Sequence, residues 1–317
     1  MRPAFSVIFL TTLCGAAQGL LLALVGVQVA SGVLGLDVPS GFYVFGAALT
    51  VVLGMLGLLA SFFHLGHPER AWRAIAMWRT SWLSRECIAL PVFLALAAAY
   101  GAAHWVGASV ALELTIGALA ALASFALFVC TGMIYACLRF LQEWASPLTL
   151  VNFVLLGCAS GCTLATACAA WLAPTLVGGL ASCAGVLTLA GCATRLASLA
   201  RNARLKPKST VQSATGIRNG KVTQTSRGFT ASAFNTREFF HGRGAGTLHV
   251  VKIGFLLGAF AVPIVLIGAG VWAVRPGVAA AALAGAFVIQ YAGLLAERWF
   301  FFADARHPQN IYYQRAS

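Results

Sequence analysis

The chain has 317 residues, 60% of them hydrophobic and only 9% charged, with a mean hydropathy of +0.86 and a formal net charge of +13. A soluble globular fold is excluded, because such a domain needs far more polar covering. Repeated apolar runs of about twenty residues, each able to cross the ~30 Å hydrocarbon layer, place the chain in a membrane instead.

The runs predict an all-α integral membrane fold with eight transmembrane helices over 5–33, 41–64, 86–106, 110–138, 148–170, 175–199, 249–272 and 277–302. The first follows Met1-Arg2-Pro3-Ala4-Phe5 with no A-x-A-like cleavage site, so it reads as a retained span rather than a removed signal peptide. Pro3, Val7, Phe9 and Cys14 near helix 1 recur at a constant offset as Pro147, Val151, Phe153 and Cys158 near helix 5. That echo fits two four-helix halves of the same orientation, and equally chance matches in apolar sequence.

Between helices 2 and 3 lies the hinge HLGHPERAWRAIAMWRTSWLSRE, residues 64–86. It carries two of the six histidines, two of the eight acidic residues and four arginines. Polar groups at a membrane boundary cost least when they bind something or do chemistry there. His64 closes helix 2 and Glu86 opens helix 3, and the loop between them can fold back to bring both to one pocket. An imidazole can donate a hydrogen bond to a carbonyl, and a carboxyl group can exchange protons with water. A quinone head group needs both, because its reduction takes up two protons with two electrons. Gly66, Pro68, Trp72, Trp78 and Trp82 predict a stiff, amphipathic loop lying at the interface. Spacing alone leaves a second reading open, in which His64 caps helix 2 and Glu86 pairs with Arg85 or Arg79.

Tyr135 and Arg139 end helix 4 and either reach the same pocket or simply close the helix. His104 and Glu113, far from the hinge, are expected to be solvated at the opposite boundary. The nine cysteines include no C-x-x-C, and Cys158 and Cys162 are i, i+4 neighbours, so they read as small packing residues rather than cluster ligands. Haem would require histidines facing each other across helices. His64 and His249 share a side but no second well-placed pair exists, so neither haem nor an iron–sulfur cluster is expected in this chain. A basic segment, about 200–248, is poor in aliphatics and rich in Ser, Thr, Gly and Asn, which predicts a long cytoplasmic loop with little regular structure within a single membrane domain 1–317. Its aromatic end, FNTREFFHGRGAG at 234–246, suits partner docking, the other reading being a loop held by lipid charge. Glu297 and Arg298 near the end of helix 8 line a proton path or form a structural pair.

With eight spans, one side receives both termini and the loops after helices 2, 4 and 6, and that side holds 20 of the 21 Lys/Arg residues; the other holds only Arg275. The positive-inside rule then puts both termini and the hinge in the cytoplasm of a bacterial inner membrane. The basic excess is a topology signal and a surface for anionic lipid or a protein partner, which argues against nucleic acid.

HLGHPERA at 64–71 followed by SWLSRE at 81–86 resembles the signature of the dimethyl sulfoxide reductase anchor subunit family, within the wider NrfD/polysulfide-reductase group of quinone-reactive membrane proteins. WASPLTLVNFVLLGCASG at 144–161 and AERWFFF at 296–302 fit the same family, and the match covers nearly all eight helices. The resemblance implies a membrane anchor with a site for quinone (ubiquinone or menaquinone). The anchor would hold a four-cluster iron–sulfur subunit with [4Fe-4S] clusters and a catalytic subunit with molybdenum bis-MGD. It also implies that His64 and Glu86 serve quinone binding and proton handling, with Arg70 supporting the site, and that the chain carries no haem. Trp82, Ser84 and Arg85 join the candidate set by proximity, and Glu69 occupies a variable position without a role. Members that reduce dimethyl sulfoxide can carry their catalytic subunits on the outer face. A cytoplasmic hinge instead resembles the Soe-type arrangement, in which a cytoplasm-facing sulfite dehydrogenase reduces quinone. The alternatives are the anchor of an S- or N-oxide reductase oxidising quinol, a docking subunit without a quinone site, and a transporter. The last lacks the expected midplane charge or broken helix.

Overall fold

The structure is a computed structural model that describes residues 1–63, 65–217, 239 and 241–308. Its described residues form an all-helical membrane protein with eight helices long and apolar enough to span a bilayer. These are α1 (Phe5–Leu34), α2 (Ser40–Phe62), α3 (Trp82–Val106), α4 (Val110–Ala136), α5 (Pro147–Leu172), α6 (Val177–Ala203), α7 (Ala245–Trp272) and α8 (Pro276–Asp304). The predicted eight spans are all present; their edges differ where capping chemistry overrides hydropathy. Helix α3 starts at Trp82 rather than 86, because the Ser81 hydroxyl accepts the Ser84 N–H at 3.3 Å and so caps a polar first turn. Glu86 therefore sits one turn inside α3 rather than at its mouth. Ser146 caps α5 in the same way, with Pro147 in the first turn, where its missing N–H costs nothing.

Helices α1 and α5 form the centre: 61% of the apolar window of each is buried, against 28–44% for the other six. Their backbones cross at two small-residue pairs, Gly15 and Gly19 against Gly157 and Gly161. A Cβ at Gly19 would collide with the Gly157 carbonyl, and one at Gly161 with the Gly19–Leu20 backbone. Exposed Val52, Leu59, Leu122, Phe125, Val186, Leu189 and Val265 form the outward, lipid-facing surface.

Helix α7 contains one π-turn, Leu257–Ala261, just before Pro263. Proline has no N–H to give the Ala259 carbonyl, and the Gln290 side chain of α8 donates to it at 3.4 Å and to the Thr188 hydroxyl at 3.1 Å. Within the predicted long loop, Val211–Thr215 form a short helix. Of the aromatic stretch 234–246, residues 234–238 and 240 lie outside the described residues, while Phe239 is stacked 3.8 Å from His307 and residues 241–246 are described.

The end of the bundle that carries the basic residues is tied by side chain-to-backbone bonds. Trp144 Nε1 donates to the Phe301 carbonyl at 3.0 Å, and Arg201 donates to the carbonyls of Gln142 and Ala145 at 3.0 and 3.3 Å. The α4–α5 loop is thereby held against the ends of α6 and α8.

Candidate functional site

Because α3 begins at Trp82, Glu86 turns inward between helices. The Thr131 hydroxyl of α4 donates a hydrogen bond to Glu86 Oε1. Around the carboxyl group lies a cavity of about 20 Å³, walled by Thr11, Thr12 and Gln18 of α1, Thr131, Ser160 of α5 and Arg298 of α8 among apolar neighbours. That is room for about one water and too little for a quinone ring. Glu86 is thus placed to exchange a proton with a small chamber of mixed polar and apolar wall, not to clasp a head group there.

Glu86 pairs with neither Arg85 nor Arg79, against the second reading of the hinge. Arg85 turns away: its Nε donates to the Trp78 carbonyl at 2.9 Å, its Nη2 to the Arg79 carbonyl at 2.8 Å, and its guanidinium covers the Trp82 ring at 4.3 Å. Arg85 and Trp82 therefore fasten the hinge to α3, and the buried Ser84 closes the helix cap through its backbone.

The hinge itself winds into a 3-10 helix, Pro68–Met77. Trp72, Met77 and Trp78 stand exposed, with Arg73 and Arg79 each 5.4 Å over a tryptophan ring. Exposed aromatics under guanidinium groups suit the depth where acyl chains meet head groups. Arg70 is 60% exposed and lies 3.8 Å from Glu69, which also meets His67 Nδ1 at 3.0 Å. Arg70 is not in the wall of the Glu86 cavity, and Glu69 has partners that its variable position did not suggest. His64 lies outside the described residues. Tyr135 is buried beside that cavity rather than in its wall, stacked on Phe153 at 5.6 Å and edge-on to Trp144, Phe301 and Phe302.

Two buried ionic groups go beyond the sequence reading, which offers Glu297 and Arg298 as a pair but neither Arg195 beside them nor a His104–Glu113 pair. Near the basic end, Glu297 of α8 lies between Arg195 of α6, at 2.7 Å, and its own neighbour Arg298, at 3.5 Å, all three at most 5% exposed. Arg195 Nε is close enough to Glu297 for charge attraction, yet its N–H is not aligned on the carboxylate, and both Glu297 oxygens lack a hydrogen-bond partner among the described residues. Charge counting places Arg195 among the boundary residues. A stripe of Thr188, Gly191, Arg195 and Ser198, spaced three and four apart, marks it as inward-facing instead. Arg298 walls both the Glu86 cavity and a second one of about 10 Å³, which reaches Glu143 and Ser146 in the α4–α5 loop and Arg201 at the end of α6.

At the opposite end, His104 and Glu113 are not solvated as expected. His104 Nδ1 lies 3.3 Å from Glu113 Oε1, with side chains 4% and 12% exposed. Gln28 donates to Glu113 at 3.1 Å and accepts from the Tyr100 hydroxyl at 2.9 Å, and Tyr43 stacks on His104 at 4.4 Å. The helix ends there pack closely enough to shut water out, which hydropathy along one helix cannot register.

The DMSO reductase anchor subunit (DmsC) family matches residues 1–302. Over 99% of both chains the protein is 53% identical to a sulfite dehydrogenase subunit of Allochromatium vinosum. The signatures at 64–71 and 81–86 thus sit inside a resemblance that runs through all eight helices, and this multi-pass membrane chain belongs to the DMSO reductase anchor subunit family.

Proposed function

We propose that this protein is the quinone-reactive membrane anchor of a cytoplasm-facing sulfite dehydrogenase. The observation that carries the reading is the full-length identity to a subunit of a sulfite dehydrogenase. A molybdenum bis-MGD subunit oxidises sulfite, and an iron–sulfur subunit with four [4Fe-4S] clusters passes the electrons to the anchor. The basic end of the bundle, which takes 20 of 21 Lys/Arg residues in an eight-span topology, faces the cytoplasm and receives that subunit.

At the membrane surface the exposed tryptophans of the hinge offer flat apolar faces to a quinone ring, and the family signature supports His64 as the hydrogen-bond donor to it and Arg70 as a supporting residue. Reduction balances as one quinone, two electrons from the iron–sulfur subunit and two protons giving one quinol. Glu86, buried behind the hinge on Thr131, supplies a proton from the inside. The family's name favours a second reading, a reductase anchor that oxidises quinol; a twin-arginine export signal on the catalytic subunit encoded beside this chain would establish it and exclude the cytoplasmic assignment.

The test is the purified three-subunit complex supplied with sulfite and a short-chain quinone. His64→Ala should abolish quinone reduction while electron transfer to a soluble dye continues. Full quinone turnover in that variant would leave only a docking role for the anchor.

A further inference from the structure

Three observations converge on the end of the bundle behind Glu86. Arg298 is shared by two small cavities, one holding the Glu86 carboxyl and the other reaching the loop at Glu143. Glu297, beside Arg298 in the wall of the second cavity, is fully buried with neither oxygen hydrogen-bonded among the described residues. Buried polar atoms without protein partners are where ordered water is found. The third is the charge count: Arg195, Glu297 and Arg298 sum to +1 in a low-dielectric interior, where an uncompensated charge is costly.

We propose that the Arg195–Glu297–Arg298 cluster and the loop-side cavity form the route by which Glu86 regains protons from the basic face. The inference rests on the quinone-reactive reading of Glu86. After Glu86 gives its proton to a quinone oxygen, its carboxylate and the cluster sum to zero, so a proton is drawn in along water past Arg298. Once Glu86 is neutral again the sum returns to +1, which repels a second proton. Glu297, flanked by two guanidinium groups, holds the water of this route in place.

Glu143 is the entrance. It lies half-buried in the α4–α5 loop, lining the loop-side cavity with Ser146, Asn152 and Arg201. Asn152 is fixed by bonds to Ser198 and from Thr194, both 2.8 Å, which keeps the polar wall of that cavity open between α5 and α6. Burial pushes the Glu143 carboxyl above the usual carboxylate range; its own and Arg306's backbone N–H groups and the Arg306 charge oppose the rise, and Asp304 adds to it. A carboxyl so placed takes and releases protons nearer neutrality.

The experiment compares Glu86→Gln, Glu143→Gln and Arg298→Met in the assembled complex, reading quinone reduction, reduction of a soluble dye by the iron–sulfur subunit, and the solvent deuterium isotope effect. Glu143→Gln and Arg298→Met should each slow quinone reduction at least about tenfold at unchanged quinone KM, leave dye reduction intact and enlarge the isotope effect, and Glu143→Asp should restore the rate. If Arg298→Met does not assemble, Glu143→Gln, in the loop, decides alone. Normal turnover and isotope effect in Glu143→Gln while Glu86→Gln is slow would overturn the route and leave the quinone site standing. Normal turnover in Glu86→Gln as well would remove both.

Discussion

The bundle buries an ionic group at each end, and the two are built differently. At the end away from the hinge, His104 and Glu113 are closed in by Gln28, Tyr100 and Tyr43, so each Glu113 oxygen has a protein partner, and only His104 Nε2 is left without one among the described residues. At the hinge end, Arg195, Glu297 and Arg298 carry a surplus positive charge, hold both Glu297 oxygens by ion pairing without an aligned hydrogen bond among the described residues, and touch two cavities. A carboxylate held at both oxygens beside packed rings can only hold helices together. An unsatisfied one beside water-sized space can also move protons. Burial of charge alone therefore says little about function; the space and the leftover hydrogen-bonding capacity beside it say more.

The largest separation between the two ends comes from removing the central carboxylate of each. Glu297→Leu strands two buried guanidinium groups, and breaking a buried pair in this way costs about 3–5 kcal/mol. Thermal unfolding of the detergent-purified complex should show a large loss, or the anchor should fail to accumulate. Glu113→Gln keeps an oxygen for the Gln28 amide and offers an amide group to His104. Its cost should stay near ~1 kcal/mol, with sulfite-to-quinone turnover unchanged. Equal damage from the two substitutions would erase the distinction.

The smallest effect concerns pH. Burial raises the Glu143 carboxyl in the folded protein, so the native chain binds a proton more readily than the unfolded one. The stability that this contributes is fully present below the ordinary carboxylate range and is lost as pH rises through the raised native value. Arg195, Arg201, Glu297 and Arg298 share the cavity with Glu143, Asp304 and Arg306 act on it from the end of α8, and the Met1 amine also feels its charge. Glu143→Gln should flatten this part of the melting-temperature profile between mildly acidic and neutral pH. A profile identical to the parent's would show that Glu143 does not titrate in a buried setting.

Hydropathy makes the eight spans legible, because one apolar window of about twenty residues is a property of local sequence. The start of α3 is not, since the mixed run from Ser81 to Arg85 reads as loop until Ser81 is recognised as a cap. Glu86 stands out as a polar residue in an apolar chain, but its partner Thr131 lies 45 residues away on another helix and nothing in the spacing links them. Arg195 shows the limit most clearly. It counts correctly with the arginines of the basic end, yet the residue is buried against Glu297, some hundred positions later. Its inward stripe of Thr188, Gly191 and Ser198 could have located it; its partner could not be found without the fold.

In this picture the hinge end works on quinone and the opposite end only holds the fold. Side-by-side turnover of Glu86→Gln and Glu113→Gln complexes, with sulfite as donor and quinone as acceptor, tests it most directly. The expected result is a loss of about a hundredfold or more for Glu86→Gln, with dye reduction retained, and a parental rate for Glu113→Gln. A parental rate for Glu86→Gln, or an equal loss in both, would contradict it.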